Sequence, residues 1–376
     1  MKLFHLSDLH LGKRVNEFSM IEDQRYILKA VLTAVNEEKP DGILIAGDVY
    51  DRSIPSEDAM KLWDEFLISL AEKKVPVYAI SGNHDSAIRF ADHGELVDAT
   101  GIHLSPVYDG NAKCYQLKDK KNMVNIYMLP FIKPATVRNF FEDEEIDDYT
   151  DACRVAINHM DIDNSEINIL IAHQMIIGSS RCESEEVSVG GLDGVDVSVF
   201  DAFDYVALGH LHGKQKIGRD TVRYSGTPLK YSFSEKDHKK SITVVNIKGK
   251  GKIDISEIPL LPLHDMREIR GTYADLTLKK NYEGTDTEDY IHAILTDEND
   301  VLDAMAKLRI IYPNIMKLSY DNKRTQSQQV VTDAKNVDEK SPLELFEEFY
   351  EKQNNQAMSD EQKQFVLDEI EAIWEV

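Results

Sequence analysis

Ile43-Leu44-Ile45-Ala46-Gly47-Asp48-Val49-Tyr50-Asp51 sets a carboxylate directly behind an unbroken apolar run. A run that does not alternate fits a strand buried on both faces, and in open α/β sheets ligands gather at the carboxyl ends of such strands. The same construction recurs along the chain. Lys2 to Leu6 leads into Ser7-Asp8-Leu9-His10, Val75 to Ile80 into Gly82-Asn83-His84-Asp85, Ile167 to Ala172 into His173, and Tyr205 to Leu208 into Gly209-His210-Leu211-His212. Singly, each is ordinary: a histidine beside a strand is most often packed or exposed. Five such endings in order predict one sheet rim lined with oxygen and imidazole donors, the material of a two-metal centre. Glycines at 12, 47, 82 and 209 flank these donors, where a residue without a side chain lets the backbone turn sharply and approach an ion or phosphate.

Two neighbouring divalent ions need a carboxylate able to bridge them, with neutral imidazoles and amide oxygens completing each set. Asp48 is the bridging candidate. The donor set contains no thiolate, which argues for manganese or a similar first-row ion over a Cys-type structural zinc. His84 lies beside a donor without being assigned as one. Histidine ordinarily titrates near neutrality, so His84 is the candidate general acid for a leaving sugar oxygen, with Asp85 expected to orient its ring. Asp51 has two readings, orienting neighbouring groups or capping the turn before Arg52.

Asp-x-His, Gly-Asp-x-x-Asp, Gly-Asn-His-Asp, a lone histidine after a strand and Gly-x-His-x-His together resemble the calcineurin-like metallophosphoesterases. Ser7 to Arg14, Gly47 to Asp51 and Ser81 to Ser86 narrow the likeness to bacterial DNA nucleases of that family. Gly101-Ile102-His103-Leu104, Ala172-His173-Gln174 and Ala207 to His210 extend it, and it covers the chain to about residue 260. The resemblance implies an α/β metallophosphoesterase β-sandwich flanked by helices, with a small α+β capping domain and a C-terminal helical hairpin. It implies two Mn2+ ions, one completed by Asp8, His10 and His212 and the other by Asn83, His173 and His210. The implied activity is 3′→5′ exonuclease cleavage of double strands and endonuclease cleavage of single strands and hairpins, in DNA break and hairpin processing, replication and recombination. The implied partners are double- and single-stranded DNA, an SMC-like ATPase and a second copy of the chain. The sequence shows no Gly-x-x-x-x-Gly-Lys-Ser/Thr stretch, so no nucleotide is expected on this chain and ATP hydrolysis falls to the partner. Alternative readings are a phosphoesterase acting on small nucleotides or phosphoproteins, and a metal-stabilised scaffold without catalysis.

At 376 residues, 42% hydrophobic and 29% charged, the chain is long enough for one sizeable α/β core and one or two small modules. Cys114, Cys153 and Cys182 have no paired or metal-type spacing, as expected of reduced thiols in a cytoplasmic, nucleoid-associated protein. Asp8 and His10 leave no room for a secretory segment, and no apolar stretch approaches about 18–20 residues, so no membrane association is expected. The net charge of −24 opposes a nucleic-acid substrate, because phosphate binding is driven by lysine and arginine displacing counterions. Its distribution softens the conflict. Gly213 to Lys240 holds eight basic and three acidic residues, and Lys13, Arg14, Arg52 and Arg89 stand near the other motifs. With Lys214 and Lys216 they are the candidate DNA contacts.

Residues 21–38 and 57–72 carry apolar stripes at helical spacing and read as core helices. The acidic run Glu142 to Asp148 is expected to open a helix reaching His159. Pro259-Leu260-Leu261-Pro262 marks the first domain boundary, ending a nuclease domain at residue 258. Residues 259–320 read as a short strand, a helix near Tyr273 to Lys279, a strand near Tyr290 to Leu295, a helix near Val301 to Ile311 and a strand near Met316 to Tyr320. The resemblance makes this the capping domain, while the sequence alone fits a packing or dimer element equally. Residues 321–340 read as a linker. Residues 341–376 read as a helical hairpin, with Pro342 at a first helical position after Ser341 and a capping box over Ser359 to Gln362. Leu345, Phe346, Phe349 and Tyr350 form one stripe and Phe365, Val366, Ile370, Ile373 and Trp374 another. With ten acidic against two basic residues, this hairpin should repel DNA. Its apolar stripes have two readings, folding back on their own domain or docking onto another protein's helices, for which the resemblance supplies the ATPase.

Overall fold

The computed structural model describes all of the chain except residues 93, 119–122, 186–193, 324, 326–341, 355–357 and 375–376. Its contacts divide it into two compact units, Met1–Met266 and Arg267–Val376. The first unit is built on two six-stranded sheets. One runs in the order Lys252–Pro259, Ser241–Gly249, Lys2–Leu6, Gly42–Ala46, Val77–Ile80, Ile102–Leu104, with Lys2–Leu6 onward parallel and the two outer strands joined antiparallel. The other runs Gln215–Ile217, Arg219–Tyr224, Tyr205–Gly209, Ile167–His173, Met123–Met128, Lys113–Lys118, parallel through its four central strands.

Strand alternation assigns the two faces of the second sheet. Ile167, Ile169, Ile171, Tyr205 and Ala207 join Leu3, Leu44, Tyr78 and Ile80 of the first sheet in one core cluster between the sheets. Their neighbours Leu170, Ala172, Val206 and Leu208 turn outward and pack with Cys153, Val155 and Ala156 of the helix Tyr149–Asn158. Both faces are therefore covered, which is why these strands read as continuous apolar runs. The helices Ile21–Glu38 and Glu57–Glu72 have the expected bounds, and Ser56 caps the second through Ala59 N at 3.3 Å.

The acidic run before residue 149 is not helical. The helix starts at Tyr149 because Asp148, in extended backbone, caps it by accepting from Asp151 N at 2.9 Å, and Ile146 is buried with its carbonyl taken by Arg138 Nε at 2.7 Å. The strand expected from Val75 begins instead at Val77, past Pro76, which has no N–H to give a ladder.

In the second unit Met266–Gly271, Tyr290–Leu295 and Ile315–Tyr320 form a three-stranded sheet, the last two parallel. Its core gathers Leu276, Ile291, Ala293, Leu295, Leu308 and Tyr312. Two expected helices are shorter or broken: Leu278, in extended backbone, separates Tyr273–Thr277 from Lys279–Tyr282, and Ala304–Leu308 replaces the longer one. Further on lie the helices Pro342–Asn354 and Asp360–Trp374. Ser359 and Gln362 make a reciprocal capping box, with Gln362 N donating to Ser359 Oγ at 3.2 Å and Ser359 N to Gln362 Oε1 at 2.9 Å. Ser341, the side chains of Ile373 and Trp374, and most of the expected linker lie outside the described residues.

Candidate metal centre

Strand ends from both sheets deliver the donors to one place. Asp8 follows Lys2–Leu6, Asp48 follows Gly42–Ala46 and Asn83 follows Val77–Ile80, while His173 ends Ile167–His173 and His210 follows Tyr205–Gly209. The loops are pulled in tightly. Asp8, His10, Asp48 and His210 all hold positive φ, at 53°, 44°, 49° and 105°. Such conformations cost about 1–3 kcal/mol each and persist only where their surroundings enforce them. Glycine is required where the loops touch: a Cβ on Gly82 would stand 2.2 Å from Asp48 Oδ1, and one on Gly209 would stand 1.8 Å from the Ala46 carbonyl oxygen.

The seven predicted donors fall into two linked groups. His10 Nε2 and His212 Nε2 are 3.1 Å apart, and with Asp8 their donor atoms lie within 4.8 Å of one another. Asn83 Oδ1 lies 2.9 Å from both His173 Nε2 and His210 Nδ1. Asp48 stands between the groups. Its Oδ1 accepts from His84 N at 2.9 Å, leaving Oδ2 at 3.2 Å from His173 Nε2 and 3.9 Å from His10 Nε2. Asp8 accepts from His210 N with both oxygens, at 3.0 and 3.2 Å.

This arrangement fits divalent cations. His173 Nδ1 faces the Ala46 carbonyl at 2.8 Å, so that nitrogen carries a proton and Nε2 is turned to two oxygens. Either a second proton on the ring or a bound cation satisfies that contact. Burial disfavours the His173 imidazolium, but the Asp48 carboxylate outweighs it and pushes the ion-free group up to about 9. Asp8 is pushed up to about 6 by burial, with His173 opposing and Asp48 reinforcing the rise. For Asp48 burial works upward, yet His173 and His10 hold the carboxyl well below its ordinary range. Burial holds His10 neutral, and its Nδ1 has no hydrogen-bond partner, 3.6 Å from Asp51 Oδ1. Two buried carboxylates among four imidazoles need compensating charge, since an uncompensated buried ion costs several kcal/mol.

His84 sits beside this cluster, its ring 4.9 Å from that of His10 and its Nδ1 3.0 Å from the Asp51 carbonyl oxygen. Asp85 is turned to the backbone. Its carboxylate accepts from Val49 N at 3.1 Å, Tyr50 N at 2.9 Å and Gly82 N at 2.9 Å, clamping the Asp48 loop to the Asn83 loop. The Asp51 side chain pairs with Lys13 at 2.7 Å, so among its two readings the structure favours contact with neighbouring groups.

The candidate DNA contacts are less free than their number suggests. Lys13 is held by Asp51, Lys214 by Glu257 and Ser241, and Lys216 by Asp220, while Arg14 donates to the Glu17 carbonyl. Arg52 and Arg89 are exposed. Beyond Gly213, Lys230 pairs with Asp265, and Lys240 is buried against Glu235.

Sequence reasoning missed several supporting groups. Gln24, buried on the helix Ile21–Glu38, accepts from Gly12 N at 2.9 Å and donates to the His10 carbonyl at 2.7 Å. A polar residue inside an apolar helical stripe was the available signal. Ser184, Glu185 and Glu235, which back His212, carry no local signal at all.

A two-sheet sandwich whose strand ends gather such donors is the arrangement of a metal-dependent phosphoester hydrolase. The family model described as calcineurin-like phosphoesterase matches residues 1–214, and the one described as type 5 capsule protein repressor C-terminal domain, SbcD_C, matches residues 262–354. The chain is 34% identical over 366 residues to the SbcD subunit of the SbcCD nuclease of Staphylococcus epidermidis, covering 96% of this chain and 95% of that protein. It belongs to the calcineurin-like phosphoesterases, in their SbcD branch. Similar solved structures include TT1561 of Thermus thermophilus, 11% identical with a TM-score of 0.40 over 68% of this chain and 98% of that one. A dimetal phosphatase from Danio rerio is 12% identical with a TM-score of 0.41 over 69% and 99%. Among the described residues no helix is long and apolar enough to cross a membrane.

Proposed function

We propose that the chain is a DNA nuclease cleaving phosphodiesters at a pair of Mn2+ ions, acting on double-strand ends as a 3′→5′ exonuclease and on single strands and hairpins as an endonuclease. The observation that carries this reading is Asp48 Oδ2, set between His173 and His10 and so between the two donor groups. In it Asp8, His10 and His212 hold one ion, Asn83, His173 and His210 the other, and Asp48 both. Bound ions would supply Lewis acidity, an activated water and charge compensation for the phosphoryl group. The protein's own part is positional. The strained loops fix the donors before substrate arrives, and burial of Asp8, His10, Asp48, His173 and His212 keeps bulk water from competing for those five.

His84 is the proposed general acid. With Nδ1 against the Asp51 carbonyl, a proton on the other ring nitrogen can be given to the leaving sugar oxygen. Arg52 and Arg89 are the exposed cations offered to the DNA backbone, and Lys13 supports Asp51 instead. An SbcC-type SMC-like ATPase is the proposed partner and regulator. Exposed Phe346, Phe349 and Phe365 support its docking on the helices Pro342–Asn354 and Asp360–Trp374. A homodimer is proposed on the family resemblance alone.

The ion pairs around Lys214, Lys216 and Lys230 favour a second reading, a phosphodiesterase for small substrates that needs no extended basic groove. One assay separates the two. Purified protein with Mn2+, or with chelator, is offered a labelled DNA hairpin and a small chromogenic diester. Metal-dependent cleavage of the hairpin is expected, whereas cleavage of the small diester alone would overturn the nuclease reading.

A further inference from the structure

We infer that Ser184, Glu235 and Lys240 form a positioning relay that fixes the tautomer and aim of His212, and with it one of the two ion positions. This rests on the reading of the seven donors as metal ligands. Glu235 is completely buried and accepts from Ser184 Oγ at 2.6 Å, Lys240 Nζ at 2.5 Å and Tyr231 N at 3.2 Å. An ionised carboxylate can only accept, so the Ser184 proton is committed to Glu235. The Ser184 oxygen then faces His212 Nδ1 at 2.7 Å as an acceptor. His212 must therefore carry its proton on Nδ1 and turn the Nε2 lone pair inward, toward the point it shares with His10 Nε2.

The peptide of His212 is clamped as firmly as its ring. Glu185 Oε1 accepts from His212 N at 2.6 Å, and Lys240 Nζ donates to the His212 carbonyl at 2.9 Å. Lys240 spends its remaining hydrogen bonds on Thr227 Oγ1, at 2.6 Å, and on Glu235, which it neutralises. Its ammonium thus serves the relay and is not offered to DNA. Two other histidines are held differently: His173 Nδ1 meets a neutral carbonyl, and His10 Nδ1 makes no hydrogen bond. A carboxylate acting through a hydroxyl makes the imidazole a stronger donor, so the ion held by Asp8, His10 and His212 depends on this relay.

The test is Mn2+ binding by the full-length protein, followed by calorimetry and by the manganese resonance spectrum, without any turnover. Wild type should take up two ions. Ser184→Ala should weaken one step about tenfold or more and leave the other unchanged. Ser184→Thr, which keeps the hydroxyl, should restore it. Glu235→Gln should weaken the same step, and its lower metal-free melting temperature would report the stranded Lys240. Two unchanged steps in Ser184→Ala would overturn the relay, as would equal weakening of both. If wild type itself takes up no Mn2+, the donor assignment fails and takes the relay with it.

Discussion

Asp48 divides its carboxylate between two tasks, one oxygen fixed by His84 N and the other left facing His173 and His10. Removing it should cost both functions: Asp48→Ala is expected to lose Mn2+ binding and cleavage together. His84→Gln, which keeps a polar side chain beside the donors, should retain Mn2+ binding and lose about 10²–10⁴ in turnover. Parallel calorimetry and nuclease assays check both, and a wild-type rate in His84→Gln would remove that residue from the mechanism. His173 gives the centre a pH dependence. Its group in the ion-free protein is raised to about 9 from an ordinary 6.5, so its imidazolium stabilises the ion-free fold below pH 6.5, and this contribution is lost as pH rises through about 9. An ion needs the neutral ring, so between these limits each pH unit should strengthen binding of the ion that His173 holds by up to about tenfold, with one proton released as that site fills. Titrations at several pH values in buffers of different ionisation heat measure both, and a flat profile would contradict the assignment.

At the scale of the element, the loop after Gly42–Ala46 and the loop after Val77–Ile80 are held together by Asp85 through three backbone N–H groups. Asp85→Ala leaves those donors buried without a partner, and should lower stability by about 2–4 kcal/mol in urea unfolding of the metal-free protein. A loss under about 1 kcal/mol would show that water replaces the carboxylate there. The strands that deliver the donors were legible in sequence because burial on both faces writes an unbroken apolar run and each donor follows it directly. The helices Ile21–Glu38 and Glu57–Glu72 were legible by periodicity. The clamp made by Asp85 was not legible because its partners are backbone groups, two of them more than thirty residues away, and side-chain patterns say nothing about those. Lys214 and Lys230 counted as free charge until distant Glu257 and Asp265 came beside them. The acidic run before Tyr149 suggested a helix by composition, whereas a single cap at Asp148 sets where the helix starts.

For the whole molecule, a net charge of −24 with most basic residues near the centre already paired predicts weak DNA affinity for the chain alone. Binding should fall steeply between low and physiological salt, and a partner ATPase should supply most of the grip. Deleting residues 341–376 should abolish association with that partner while sparing Mn2+-dependent cleavage of single strands, because the donors all lie within Met1–Met266. Pull-down and cleavage assays on the same truncated protein read both outcomes. The central claim is that Asp8, His10, Asp48, Asn83, His173, His210 and His212 hold two cations with Asp48 common to both. Diffraction at the manganese absorption edge from crystals soaked in Mn2+ tests it most directly: two anomalous peaks among these side chains, both in contact with Asp48, are predicted, and a density map without a peak there would contradict the account.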